Sequence, residues 1–122
     1  DVVQNLEAAN YGEKDALGPA EKDALNKVKA FYSGKIQVGC TTCAYCMPCP
    51  SGVNIPGNFS YFNEYHMFDN PKVRENTVKF YHHFIRPENG PSACTECGQC
   101  EEKCPQKISI IKELKRVGEL FI

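Results

Sequence analysis

Eight cysteines stand in two tight rows: Cys40, Cys43, Cys46 and Cys49 followed by Pro50, then Cys94, Cys97, Cys100 and Cys104 followed by Pro105. An even set of closely spaced thiols serves one of three chemistries: disulfide bonds, zinc sites or iron–sulfur clusters. Disulfide frameworks belong to short secreted domains that are poor in core. Here the thiols are clumped, and long amphipathic stretches flank them. A structural zinc takes its four ligands as two separated pairs, so a third cysteine two residues further on is superfluous to it. A cubane cluster is larger, and each of its four irons needs one thiolate. Three thiolates on one loop can wrap three corners, with backbone N–H groups between them aimed at sulfur.

The fourth corner then needs a thiolate from elsewhere. In a C-x2-C-x2-C-x3-C-P run of a two-cluster ferredoxin, the fourth cysteine ligates the other cluster. Two such rows satisfy each other. The pattern assigns Cys40, Cys43, Cys46 and Cys104 to one [4Fe–4S] cluster, and Cys94, Cys97, Cys100 and Cys49 to a second. The first row has two residues before Cys49 where the pattern has three, which leaves open the cluster that Cys49 serves. Two zinc knots are the alternative.

Crossed ligation requires the 44 residues between Cys49 and Cys94 to leave and return. Two antiparallel helices, at about 56–68 and 71–85, would do this. Pro56 and Asn70-Pro71 suit helix starts. Phe59, Phe62 and Met67 fit a buried face of the first helix, and Val73, Thr77, Phe80, Tyr81 and Phe84 one of the second. Upstream, Val2, Val3, Leu6 and Ala9 form a helical stripe that ends at Gly12 and the polar residues after it. Gly18-Pro19 opens another helix with Ala24, Leu25, Val28, Phe31 and Tyr32 on one face, closed by Ser33-Gly34. Residues 92–106 read as the second cysteine segment. Ser109 caps a last helix with the face Ile110, Ile111, Leu114, Val117 and Phe121. No stretch alternates like a strand. The expectation is an all-α, α-helical ferredoxin-like domain with two cysteine loops.

Lysine plus arginine number 14 and aspartate plus glutamate 15, a net charge of -1, without the basic footprint of a nucleic-acid partner. No apolar run nears the ~18 residues of a membrane span. The acidic, mixed start "DVVQNLEAANYGEKD" is not a signal peptide. It lacks an initiator Met, and we expect a stretch from inside a longer, cytoplasmic protein.

The blocks "CTTCAYCMPCPSGVNIP" and "ACTECGQCEEKCPQKISI" closely resemble the C-terminal dicluster domain of a family of bacterial and archaeal aldo/keto-reductase-like oxidoreductases. Thr42, Ala44 and Lys107 depart from the commoner family residues, and none is a ligand. Residues 1–34 resemble the tail helices of an aldo/keto reductase barrel, the barrel itself being absent, and residues 35–122 the dicluster ferredoxin domain. The resemblance implies that Gln4 and Asn5 match a Glu-Asn pair that binds the adenine of a nicotinamide cofactor; an ordinary exposed helix pair is the alternative. NAD(P) is thus implied only for a full-length parent.

The expected function is electron transfer through two [4Fe–4S] clusters, to a one-electron redox partner protein or the parent's own barrel. The alternative is a module that iron–sulfur or zinc merely stabilises, without redox turnover. Nicotinamides deliver hydride, two electrons at once, so the resemblance also demands a two-electron intermediary. No nucleophile–base pair or paired carboxylates offers catalysis by this chain alone. His66, His82 and His83 read as helix-face packing rather than metal or proton chemistry. Tyr45 either shields a cluster from water or simply packs. The aromatic residues from Phe59 to Phe84 read as a helical core, and the mixed charges of "EEKCPQK" and "KELKR" as a solvated face or a partner-docking surface.

Overall fold

The computed structural model describes residues 1–12 and 15–122. Among the described residues six α-helices follow one another: α1 (Val2–Tyr11), α2 (Pro19–Lys35), α3 (Ile55–Met67), α4 (Pro71–Phe84), α5 (Gln99–Lys103) and α6 (Ile110–Phe121). Two 3-10 turns, Pro87–Asn89 and Pro91–Ala93, lie between α4 and α5. Among the described residues there are no strands, so the all-α expectation holds. The chain divides into two units, Asp1–Ser33 and Gly34–Ile122.

In the first unit the apolar stripes of α1 and α2 form but are not buried. Val2, Val3 and Leu6 are exposed, as are Leu25, Val28, Phe31 and Tyr32. Gly12 ends α1 with its N–H on the Ala9 carbonyl. Glu13 and Lys14, part of the polar stretch expected there, lie outside the described residues.

In the second unit the helices start where side chains satisfy free backbone donors. Asn54 caps α3 by accepting the Gly57 N–H, and Asn70 caps α4 by accepting those of Lys72 and Val73; each is followed within two residues by a proline in the first turn. α3 packs against both α4 and α6, and α5 against α6. The core comprises Val38, Val53, Ile55, Phe59, Phe62, Tyr81, Ile85, Cys104, Ile110, Leu114, Val117 and Phe121.

Three expectations are corrected. The buried stripe of α4 runs Thr77, Tyr81 and then Ile85, a strict four-residue step. Phe80 and Phe84 sit one residue, about 100°, away from it and are exposed. Ser33-Gly34 does not close α2, which runs on to Lys35. Ser109 occupies the capping position of α6, but its side chain makes no capping bond. Glu101 of α5 accepts the Ile111 N–H instead, at 2.9 Å.

Candidate metal centre

The approach to the first cysteine row is fixed from α3. Asn63 Oδ1 accepts the N–H groups of Gln37 and Val38, both at 2.9 Å, and its Nδ2 donates to the Val38 carbonyl at 2.8 Å. Arg116 of α6 adds a strap. It donates to Gln37 Oε1 at 3.0 Å and to Glu113 Oε2 at 2.6 Å, and its guanidinium lies over the Phe62 ring at 5.2 Å. The chain leaving the row is held by a buried amide. Asn58 Nδ2 donates to the carbonyls of Asn54 and Asn89, while Asn58 Oδ1 accepts the Tyr81 hydroxyl at 2.8 Å. Asn89 Nδ2 donates to the Gly52 carbonyl. Tyr81 stacks on Phe121 with ring centres 4.0 Å apart.

All eight cysteines are free thiols, and they surround two cavities. Cys40, Cys43, Cys46 and Cys104 line the first, with Ile55, Phe59, Ile108 and Ile110 among its apolar walls. Cys49, Cys94, Cys97 and Cys100 line the second, with Val53, Ile55, Ile111 and Leu114. Each cavity therefore has three thiols from one row and the last thiol of the other. Among the described residues no three His, Cys, Asp or Glu side chains converge closely enough for a single metal ion. The thiols ring a volume instead.

The two rows share one backbone. Cys40, Cys43 and Cys46 match Cys94, Cys97 and Cys100 at an offset of 54 residues, and from the fourth cysteine onward the offset is 55. Left-handed backbone recurs at matched positions: Thr42 (φ 55°) with Glu96 (55°), Ala44 (61°) with Gly98 (79°), Gly52 (79°) with Lys107 (53°). Backbone hydrogen bonds recur too: Met47 N–H to Ala44 with Glu101 N–H to Gly98, Gly52 to Cys49 with Lys107 to Cys104, Ile55 to Val53 with Ile110 to Ile108. The match continues into α3 and α6, where Phe59 and Leu114 face the two cavities. The extra residue of the second row falls in α5; the first row has a turn with a cis Met47–Pro48 bond there.

Electrostatics follow the same grouping. Burial pushes the Cys46 thiol up, and charge on Cys40, Cys43 or Cys104 pushes it the same way. Burial likewise raises Cys100, with Glu101 and Cys49 adding to it. Crowded thiols in apolar walls hold protons in preference to charge until a cation compensates them. Cys43 and Cys97, the second thiols of their rows, are exposed, whereas Cys104 is buried.

The other predicted residues are dispersed. Gln4 and Asn5 stand exposed and adjacent on α1. His66 packs on its own helix, its Nδ1 2.8 Å from the Phe62 carbonyl and its ring against Phe62 and Tyr65. His82 and His83 lie against Tyr81 and Phe84. Tyr45 is 66% exposed and so covers little. Sequence reasoning passed over Asn58, Asn63, Glu101 and Arg116. Asn58 alone left a signal, as a polar residue between Ile55, Phe59 and Phe62 on the buried face of α3.

An all-helical unit with two four-thiol cavities defines an iron–sulfur type of protein. The chain matches the model of the 4Fe-4S dicluster domain over residues 39–109, more than half its length, and it belongs to that family. Iron–sulfur electron transfer is the general chemistry of that class. No curated protein and no solved structure matches the chain. Among the described residues no helix is long and apolar enough to cross a membrane.

Proposed function

We propose that the chain carries two [4Fe–4S] clusters, the first held by Cys40, Cys43, Cys46 and Cys104 and the second by Cys94, Cys97, Cys100 and Cys49, and that it passes single electrons. One observation carries the reading: eight thiols divide four and four around two cavities, with one thiol exchanged each way. The donor set fits, since each cavity offers four thiols in otherwise apolar walls. A bound cluster exchanges one electron at a time, at a potential set by its charge, hydrogen bonds to sulfur and exposure. The chain's residues supply the rest. Ile55 lines both cavities and separates the two thiol sets with an apolar side chain. The walls exclude water, and exposed Cys43 and Cys97 give each set one thiol at the surface for a redox partner. Iron and acid-labile sulfide analysis of anaerobically prepared protein tests this. About eight of each per chain are expected; two zincs without sulfide would refute it.

The wider setting rests on resemblance. In this proposal residues 1–34 are the tail of an aldo/keto reductase barrel, Gln4 and Asn5 meet the adenine of NAD(P) in the whole protein, and the second unit connects that barrel to a one-electron partner protein. Exposed apolar stripes on α1 and α2 suit helices that pack on a barrel. The coding sequence upstream of Asp1 tests this, since it must encode the barrel with its Tyr, Lys, Asp and His.

A further inference from the structure

The repeat makes the two cavities comparable residue by residue, and two polar differences stand out: at the first the Thr42 N–H donates to Cys40 Sγ at 3.4 Å, and at the second a hydroxyl pair joins the rows. Ser51 Oγ and Thr95 Oγ1 lie 2.8 Å apart. Ser51 is two residues after Cys49 and Thr95 is next to Cys94, so the bond joins the two rows, and both side chains line the second cavity. Their counterparts at the first cavity are Gln106 and Thr41, which line it in the same way. Among the described residues no hydrogen bond joins that second pair.

A hydroxyl has one proton to give and two lone pairs to accept with. In the Ser51–Thr95 pair one proton lies between the oxygens. The accepting hydroxyl keeps its own proton, and the partner's bond limits the directions in which it can point. The pair sits at the exposed rim of the cavity, where water competes for that proton; inside the cavity the remaining side chains are apolar apart from the four cysteines, so sulfur is the side-chain acceptor it offers. Hydrogen bonds to sulfur stabilise the more negative, reduced state of a cluster and so raise its potential.

We infer that the Ser51–Thr95 pair is a positioning device that aims one O–H at a sulfur of the second site and raises that site's reduction potential, a side-chain effect that the matched Thr41 and Gln106 do not reproduce at the first site, where a backbone N–H, that of Thr42, meets Cys40 Sγ instead. This rests on the two-cluster reading. Nearby carboxylates act in the opposite sense, since negative charge disfavours the reduced state. Glu96 is tied to Lys115 at 2.9 Å in an exposed pair, which solvent largely screens, and Glu101 is engaged with Ile111.

The test is a potentiometric titration of the cluster-loaded protein followed by EPR, with iron and sulfide measured on the same samples. Ser51→Ala and Thr95→Val should each move one of the two reduction waves to lower potential and leave the other in place, with iron and sulfide unchanged. Thr95→Ser keeps the hydroxyl and should restore the wave. Thr41→Val, at the matched position of the first site, should leave the sensitive wave unmoved. Full iron and sulfide with both waves unmoved overturns the inference alone. Loss of iron from both Ser51→Ala and Thr95→Val makes the pair a structural clasp and also overturns it. An unaltered protein without iron and sulfide overturns the cluster reading, and the inference with it.

Discussion

The two cysteine segments have one backbone and two surroundings. From residue 36 to residue 63 no side chain is charged, whereas residues 94–119 carry ten charged side chains. The first segment is secured by amides, Asn63 on its approach and Asn58 on its exit, within a buried network that includes Tyr81. At the position matching Asn58 the second segment has Glu113, in a partly exposed pair with Arg116, and its helix α6 is capped from α5 by Glu101. Thiol geometry is thus common to both halves and set by left-handed turns at matched positions. What differs is how each half is anchored and what its rim presents to a partner.

The sharpest way to break the comparison is to remove the exchanged thiols. Cys104→Ala should fail together with Cys40→Ala, and Cys49→Ala with Cys94→Ala, each leaving about half the iron. EPR and iron content of the four variants check this. If Cys49 failed with Cys40, the thiols would work row by row and the exchange would be refuted.

Phe59 and Leu114 occupy matched places against the two cavities. Truncating either to alanine should cost about 3–5 kcal/mol for Phe59 and about 2–5 kcal/mol for Leu114. Each should also speed cluster loss at its own site first. Bleaching kinetics under a chelator, with thermal melts alongside, measure both; equal loss at both sites would show that the halves do not respond separately.

The next effect concerns the anchor found only on the first side. Burial pushes the Tyr81 hydroxyl up to about 12, from an ordinary value of 10.0. The fold favours the protonated phenol, so this contribution is complete below pH 10.0 and is lost as pH rises from 10.0 through about 12. The loss amounts to about 2–3 kcal/mol. Tyr81→Phe should remove that alkaline decline, and at neutral pH it should cost about 1–3 kcal/mol by leaving Asn58 Oδ1 without a donor. Melts between pH 7 and 12 compare the two proteins; an unchanged alkaline decline in the variant would assign it to other groups.

The smallest effects test the shared backbone. A non-glycine residue in left-handed conformation costs about 1–2 kcal/mol, part of which glycine returns as chain entropy. Ala44→Gly should stabilise by about 0.5–1 kcal/mol, and Gly98→Ala at the matched position should destabilise by a similar amount. Denaturant titration of both reads the pair; changes of the same sign would show that the two turns are not equivalent.

The two cysteine rows were legible in the sequence because their spacing is local, whereas the side on which Cys49 falls was left open by its two-residue step. Helices α3, α4 and α6 were legible from periodicity and from Pro56 and Asn70-Pro71. Periodicity does not resolve neighbours on a wide stripe, and so Phe80 and Phe84 were expected inside while Ile85 was passed over. Partnerships between distant residues left no local sign. Tyr81 and Asn58 are 23 residues apart, and Glu101 reaches ten residues ahead to take the place expected of Ser109. The apolar faces of α1 and α2 look the same in sequence whether or not anything covers them.

The exchanged thiols also bear on synthesis. A chain leaves the ribosome N-terminus first, so Cys40, Cys43 and Cys46 emerge more than fifty residues ahead of the Cys104 that shares their cavity. The other set is begun by Cys49 and is completed only at Cys100. Neither set can close on a growing chain until both rows, about three quarters of the second unit, have been made. On the two-cluster reading, iron and sulfide are therefore best delivered once both rows have been made, and a product truncated between the two rows would expose four reduced thiols with no second row to join.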